Sequence, residues 1–267
     1  VDAAATAAAL VEEPGRPFDL AGGPDAVLLL HGLSGSPFEV RALADHLQAQ
    51  GMRCLGPLLA GHGGDPAALA AVGWRDFVSG AEAELLRLEG ARRTFVVGCS
   101  MGALLALALA HSHPDRVDAL ALLAPAMELA LLPRLAGKVA RWSAAARRFP
   151  PVPKGASDVR DPEMRRANPA MKAVPIAAVG ELQRLAAHVD RILPAVTAPA
   201  LVVAGRGDHT VTLRGVRRVV RRIGSGPARL LVLPDSWHLV GIDVERDVVA
   251  DEVAAFLARA PAPRRQG

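Results

Sequence analysis

The segment Gly98-Cys99-Ser100-Met101-Gly102 carries the most specific chemistry in this chain. A serine with a glycine two residues to either side fits a nucleophile held on a sharp strand-to-helix turn. Its hydroxyl is a weak nucleophile at neutral pH, so it needs a base, and the base needs a carboxylate to orient it. For a nucleophile of this kind the partners follow in the order acid, then histidine. Asp208 closes Ala204-Gly205-Arg206-Gly207-Asp208, and His238 closes Pro234-Asp235-Ser236-Trp237-His238. Each stands just past an apolar run of strand length, so all three side chains are expected on one edge, at the carboxyl ends of strands. Asp235 and Asp243 flank His238 and rank behind Asp208.

The other histidines fit the role less well. His31 and His62 belong to glycine-flanked loops and are expected to shape backbone, whereas His46 and His188 fall inside helical stretches. His111 and His113 lie past the far end of the nucleophile helix, and His209 should point away from Asp208. Acyl transfer also needs two donors for the oxyanion. The amide of Met101, directly after the nucleophile, is one candidate. The amide of Leu33, in His31-Gly32-Leu33-Ser34-Gly35, is the other. The chain has no tyrosine, so backbone N–H groups rather than a phenol must hold that charge. Cys54 and Cys99 are too isolated for a zinc motif, no phosphate-cradling or dinucleotide glycine pattern follows a strand, and no cofactor is expected. Cys99 reads as a small residue filling the turn rather than a redox partner.

Positioning these groups requires alternating strands and helices. Apolar runs at 27–30, 52–55, 93–99, 117–124, 201–204 and 230–233 read as strands. Helical periodicity covers 37–50, 74–88, 101–111, 211–223 and 244–257, and 58–73 reads as a loop. Continuous apolar strands between helices predict an α/β fold with a mostly parallel sheet covered on both faces. The alternation lapses over 126–193, where prolines stand at 133, 150, 151, 153, 162, 169 and 175 between short helices. This stretch reads as a helical cap inserted over the carboxyl edge of a core formed by 17–125 and 194–260, with terminal extensions at 1–16 and 261–267. Phe38, Trp142 and Trp237 are the aromatic candidates for substrate contact.

Composition narrows the function. Over 267 residues, 51% are hydrophobic and 22% charged, which excludes intrinsic disorder, and two cysteines exclude a disulfide scaffold. The formal charge of +4 is carried almost wholly by arginine. Its densest cluster, Arg214, Arg217, Arg218, Arg221 and Arg222, lies opposite Val216, Val219, Val220 and Ile223 and is the wet face of an amphipathic helix, so nucleic-acid binding is not expected. No uncharged stretch reads as a membrane span. The first dozen residues lack the basic region of a signal peptide, and a cytoplasmic location is the expectation; the oligomeric state stays open.

Five blocks of residues together resemble the bacterial carboxylesterases and monoacylglycerol lipases of the α/β-hydrolase superfamily. They are His31 to Pro37, Leu59 to Gly63, the serine pentapeptide, Gly205 to Val211 and Ser236 to Asp243, and the resemblance runs from about Pro17 to Leu257. It implies an α/β-hydrolase fold and the triad Ser100, Asp208 and His238, the same residues that spacing selects. It also implies oxyanion donors at Leu33 and Met101, a small helical cap, and cofactor-free hydrolysis of short- to medium-chain acyl esters or monoacylglycerols. Trp237 stands where relatives commonly carry glycine, and Cys99 where many carry leucine or histidine. The expected partner is a small ester of apolar acyl character. A thioesterase with the same triad, or a non-catalytic ligand-binding protein on the same scaffold, remain the alternatives.

Overall fold

A computed structural model describes residues 15–130, 149–224 and 228–261. Seven strands form one sheet: β1 (Phe18–Leu20), β2 (Asp25–Leu30), β3 (Arg53–Gly56), β4 (Arg93–Cys99), β5 (Ala119–Leu123), β8 (Ala200–Gly205) and β9 (Arg229–Leu233). They lie in the order β1-β3-β2-β4-β5-β8-β9, and only β1 runs antiparallel to its neighbour. β1, with three residues at the edge, is too short to leave a pattern in the sequence. The two intervening strands, β6 (Val152–Pro153) and β7 (Ala173–Val174), form a separate antiparallel pair.

Alternation along each strand sorts the core into two layers. Leu28, Leu30, Val96, Leu120, Leu122, Val202 and Ala204 face one layer; Val27, Leu29, Phe95, Val97, Ala121, Leu201 and Val203 face the other. The first layer is closed by α3 (Trp74–Leu86), α4 (Met101–Ser112), α6 (Ile176–Ile192) and α7 (Leu213–Arg222). The second is closed by α1 (Phe38–Ala49) and α8 (Arg246–Ala258). Both faces of the central strands β2, β4, β5 and β8 are therefore dry, which explains their nearly continuous apolar runs. α4 is buried over almost its whole length, from Met101 to Ala110. α7 instead buries Val216 and Val219 and turns its arginines outward, with Arg218 and Arg222 meeting Asp190 at 2.5 and 2.6 Å.

Two local expectations are corrected. Residues 58–73 are not all loop, because α2 (Pro66–Ala71) forms there, with Asp65 accepting from the Ala67 N–H at 2.8 Å and proline in the first turn. Between 126 and 193 the helices are not all short. α5 (Pro162–Ala167) is, but no proline falls between Pro175 and Pro194, so α6 runs for 17 residues. Its buried Leu182, Leu185 and Val189 join the same layer as α3 and α4.

Candidate active site

Ser100 stands where β4 turns into α4, at φ 54 and ψ −109. That conformation costs a non-glycine residue about 1–3 kcal/mol, which the surrounding packing must offset. The flanking glycines are dictated by backbone approach. A Cβ on Gly98 would come within 2.2 Å of the Gly102 backbone, and one on Gly102 within 2.1 Å of the Leu30 carbonyl. The sharp turn and the close strand-to-helix contact thus require both.

The three residues selected by spacing come together. Ser100 Oγ lies 2.9 Å from His238 Nε2, and His238 Nδ1 lies 2.8 Å from Asp208 Oδ2. An ionised carboxylate only accepts, so Nδ1 carries the proton and donates it to Asp208, and Nε2 is left to accept from the serine hydroxyl. Asp208 is fixed in turn by its other oxygen, which accepts from the Thr210 and Val211 N–H groups at 2.8 Å each. The side chains of His238 and Asp208 are only 6% and 3% exposed. Burial alone would push the imidazole's affinity for protons down; the charge and hydrogen bond of Asp208, with help from Asp158 and Glu39, more than offset it, and the His238 pKa is raised.

The remaining acids and histidines do structural work around this centre. Asp243 accepts from four backbone amides, those of Arg160, Asp161, Trp237 and Val244, at 2.7 to 3.1 Å. Asp235 pairs with Arg160. His31 accepts from the Leu59 N–H through Nε2, and its pKa is lowered to about 3 by burial and the neighbouring His62. His62 likewise accepts from the Ser34 N–H at 3.0 Å. His209 turns to Asp158, at 2.8 Å, rather than to Asp208. His46 reaches Asp251, His113 reaches Glu82, and His188 stacks beside Trp74.

Met101 is the first residue of α4, so its amide has no partner within the helix. Among the described residues neither this N–H nor that of Leu33 meets a protein acceptor. The loop bearing Leu33 is braced by Glu39, which sequence reasoning passed over. Glu39 lies on the buried face of α1, and its Oε2 accepts from the Gly32 N–H at 2.8 Å. Burial raises its pKa, against the opposing pull of Lys154, the Gly32 bond and His238. An acid between Phe38 and Val40, on the face that also buries Leu43 and Leu47, is the signal that could have revealed it. Asp158 and Lys154 were also missed, and their irregular surroundings offer no comparable signal.

Ser100 and His238 open onto a cavity of about 570 Å³, with Leu33, Leu129, Val152, Val179, Leu182 and Leu239 in its wall. Of the aromatic candidates, Phe38 is buried in the second core layer and does not line this cavity. Trp237 also stands off it, edge-on to His209 and beneath the Arg165 guanidinium. Trp142 lies outside the described residues. The Cys99 thiol is fully buried, and burial, with Glu39 and Asp208 nearby, holds its pKa well above the ordinary thiol value. Among the described residues no group of three or more His, Cys, Asp or Glu side chains could hold a metal ion, and no helix is long and apolar enough to cross a membrane.

Comparison with known proteins agrees with this architecture. The chain is 28% identical over 245 residues to a thermostable monoacylglycerol lipase of Bacillus sp. (strain H-257), covering 91% of this chain and 94% of that one. It is 27% identical over 249 residues to a carboxylesterase of Bacillus subtilis (strain 168), covering 91% and 96%. A solved structure reported with LipS and LipT, two metagenome-derived lipolytic enzymes, superposes with a TM-score of 0.84 at 27% identity, covering 92% of this chain and 98% of that one. Residues 24–245 match the family described as serine aminopeptidase, S33. The chain belongs to that family and is an α/β-hydrolase of the lipase and esterase kind.

Proposed function

We propose that this enzyme is a serine carboxylic ester hydrolase that cleaves short- to medium-chain acyl esters or monoacylglycerols through an acyl-enzyme. The observation that carries the reading is the chain of hydrogen bonds from Ser100 through His238 to Asp208, 2.9 and 2.8 Å long, at the floor of an apolar cavity. In the acylation step Ser100 Oγ attacks the ester carbonyl while His238 Nε2 takes its proton. The N–H groups of Leu33 and Met101 hold the oxyanion, each such donor being worth about 10²–10³ in turnover. His238 then gives the proton to the departing alcohol, and Asp208 stabilises the imidazolium between the two transfers. Water repeats the sequence to release the acid.

The acyl chain is assigned to Leu129, Val152, Val179 and Leu182 rather than to Phe38 and Trp237, which do not line the cavity. Leu129, Val152, Pro153, Lys154 and Val174 supply its roof among the described residues, and the core of 17–125 and 194–260 supplies the reacting groups. The names of the two Bacillus relatives support the substrate class. Initial rates on p-nitrophenyl esters from acetate to dodecanoate test it, with a fluorophosphonate probe that should label Ser100. Absence of turnover across that series would overturn the reading.

A further inference from the structure

Lys154 is the one lysine or arginine among the described residues that line the cavity, whose other walls are mostly apolar. Its backbone is held on the roof, where its N–H donates to the Lys172 carbonyl at 2.8 Å beside the β6–β7 pair. Its Nζ donates to Ser34 Oγ at 3.0 Å. That hydroxyl accepts one of the three ammonium protons, and among the described residues the other two meet no acceptor. Glu39 is close enough to be felt but makes no ion pair with Lys154, and it already accepts from Gly32. The other carboxylate in the wall, Asp158, is committed to the His209 N–H and ring and to the Thr210 hydroxyl. A half-buried ammonium with two free donors is less well solvated than one in open water, and something that enters the cavity can accept from them. If the site held only alkyl chains, a methionine at this position would fill the same space at lower cost.

We propose that Lys154 is a specificity-determining residue that receives a carboxylate borne on the acyl portion of the substrate, so that half-esters of dicarboxylic acids are bound in preference to plain alkanoates of similar length. We take the acyl end as the one concerned because the wall assigned to the acyl chain includes Val152, two residues before Lys154. The inference rests on the esterase reading for turnover but not for binding. It makes no change to the bonds broken, since the carboxylate is carried through hydrolysis unaltered.

The decisive quantity is the ratio of kcat/KM for p-nitrophenyl hydrogen adipate to that for p-nitrophenyl hexanoate. Lys154→Met should lower this ratio by roughly tenfold or more, mainly through KM, and Lys154→Arg should restore part of it. A ratio within about twofold of the parent would overturn the proposal, including the case in which both esters slow equally because Lys154 merely braces Ser34. Calorimetry of Ser100→Ala with monomethyl adipate gives a readout that needs no turnover. Adding Lys154→Met should weaken that binding by roughly tenfold. Unchanged affinity, or no binding with Lys154 in place, would reject the proposal, whereas a parent protein inert to every ester would reject only the esterase reading.

Discussion

The floor and the roof of the cavity are built on different physics. The floor is the carboxyl edge of a sheet whose central strands are dry on both faces; Ser100 directly follows β4, and Asp208 and His238 stand on the short loops after β8 and β9. The position of Ser100 is inherited from apolar packing and backbone ladders; Asp208 is set as well by the Thr210 and Val211 amides, and the His238 N–H donates to the Asp158 carbonyl at 3.2 Å. Much of the roof between Val152 and Val174 is irregular chain held by polar ties. Asp243 gathers the amides of Arg160 and Asp161, Asp158 reaches His209 and Thr210, Lys154 reaches Ser34, and the Met171 N–H donates to the Ser34 carbonyl at 2.9 Å. A floor defined by packing can hold reacting atoms to fractions of an ångström. A roof tied by hydrogen bonds can vary with substrate without disturbing them.

Removing the nucleophile should break the floor's chemistry while leaving both regions folded. Ser100→Ala should lower kcat by about 10⁶ with little change in melting temperature, since alanine keeps the Cβ and the same backbone at φ 54. Retention of more than a small fraction of the parent rate in a purified variant would show that another group attacks the ester. The two buried aspartates near His238 separate the regions more sharply. Asp208→Asn should cost about 10⁴ in kcat, because the amide cannot hold the same imidazole tautomer, with stability little altered. Asp243→Asn should do the reverse. Its amide would face N–H donors now met by carboxylate oxygens, so stability should fall by about 3 kcal/mol while most activity survives at low temperature. Urea melts beside initial rates decide the matter, and equal loss of activity in the two variants would erase the distinction.

A smaller effect belongs to the seam between the regions. Glu39 fixes Gly32 and with it the direction of the Leu33 N–H. Glu39→Ala should therefore lower kcat by about tenfold with KM little changed, and Glu39→Gln, which keeps an acceptor for Gly32, should recover much of the loss. A change confined to KM would place Glu39 in substrate binding instead.

The same contrast explains what the sequence reveals. Strands β2, β4 and β8 were legible as short apolar runs bounded by glycine or proline, at Pro24 and Gly32, Gly90 and Gly98, and Pro199 and Gly205, and the nucleophile turn was legible because two glycines are forced on it by backbone contact. Asp208 and His238 were found from their place after such strands. β1 and α2 were missed because they are too short for periodicity to accumulate. Glu39, Asp158 and Lys154 were missed for another reason: their roles depend on partners 7 to 120 residues away in the chain, and a polar tie leaves no repeat in the sequence. Two of the aromatic candidates, Phe38 and Trp237, stand off the cavity for a similar reason. Proximity to a motif in sequence put Phe38 and Trp237 near the site, but helix and loop geometry turned them away from the cavity.

The finest test of how far the roof influences the floor is the pH dependence. His238 must be neutral to take the proton of Ser100, so kcat/KM should be full above its pKa in the free enzyme and decline as pH falls through it. That pKa is raised above the ordinary 6.5, since Asp208 outweighs the effect of burial, and the acid limb should therefore lie above 6.5. Asp158, a roof residue that never touches the imidazole, contributes to the same upward shift. Asp158→Asn should move the acid limb downward while leaving the Asp208 bond in place. An unmoved limb would mean that the roof is electrostatically silent toward His238. An upward movement would mean that losing the tie to His209 and Thr210 changes the exposure of the floor, and the two regions would then be coupled by solvent access rather than by charge.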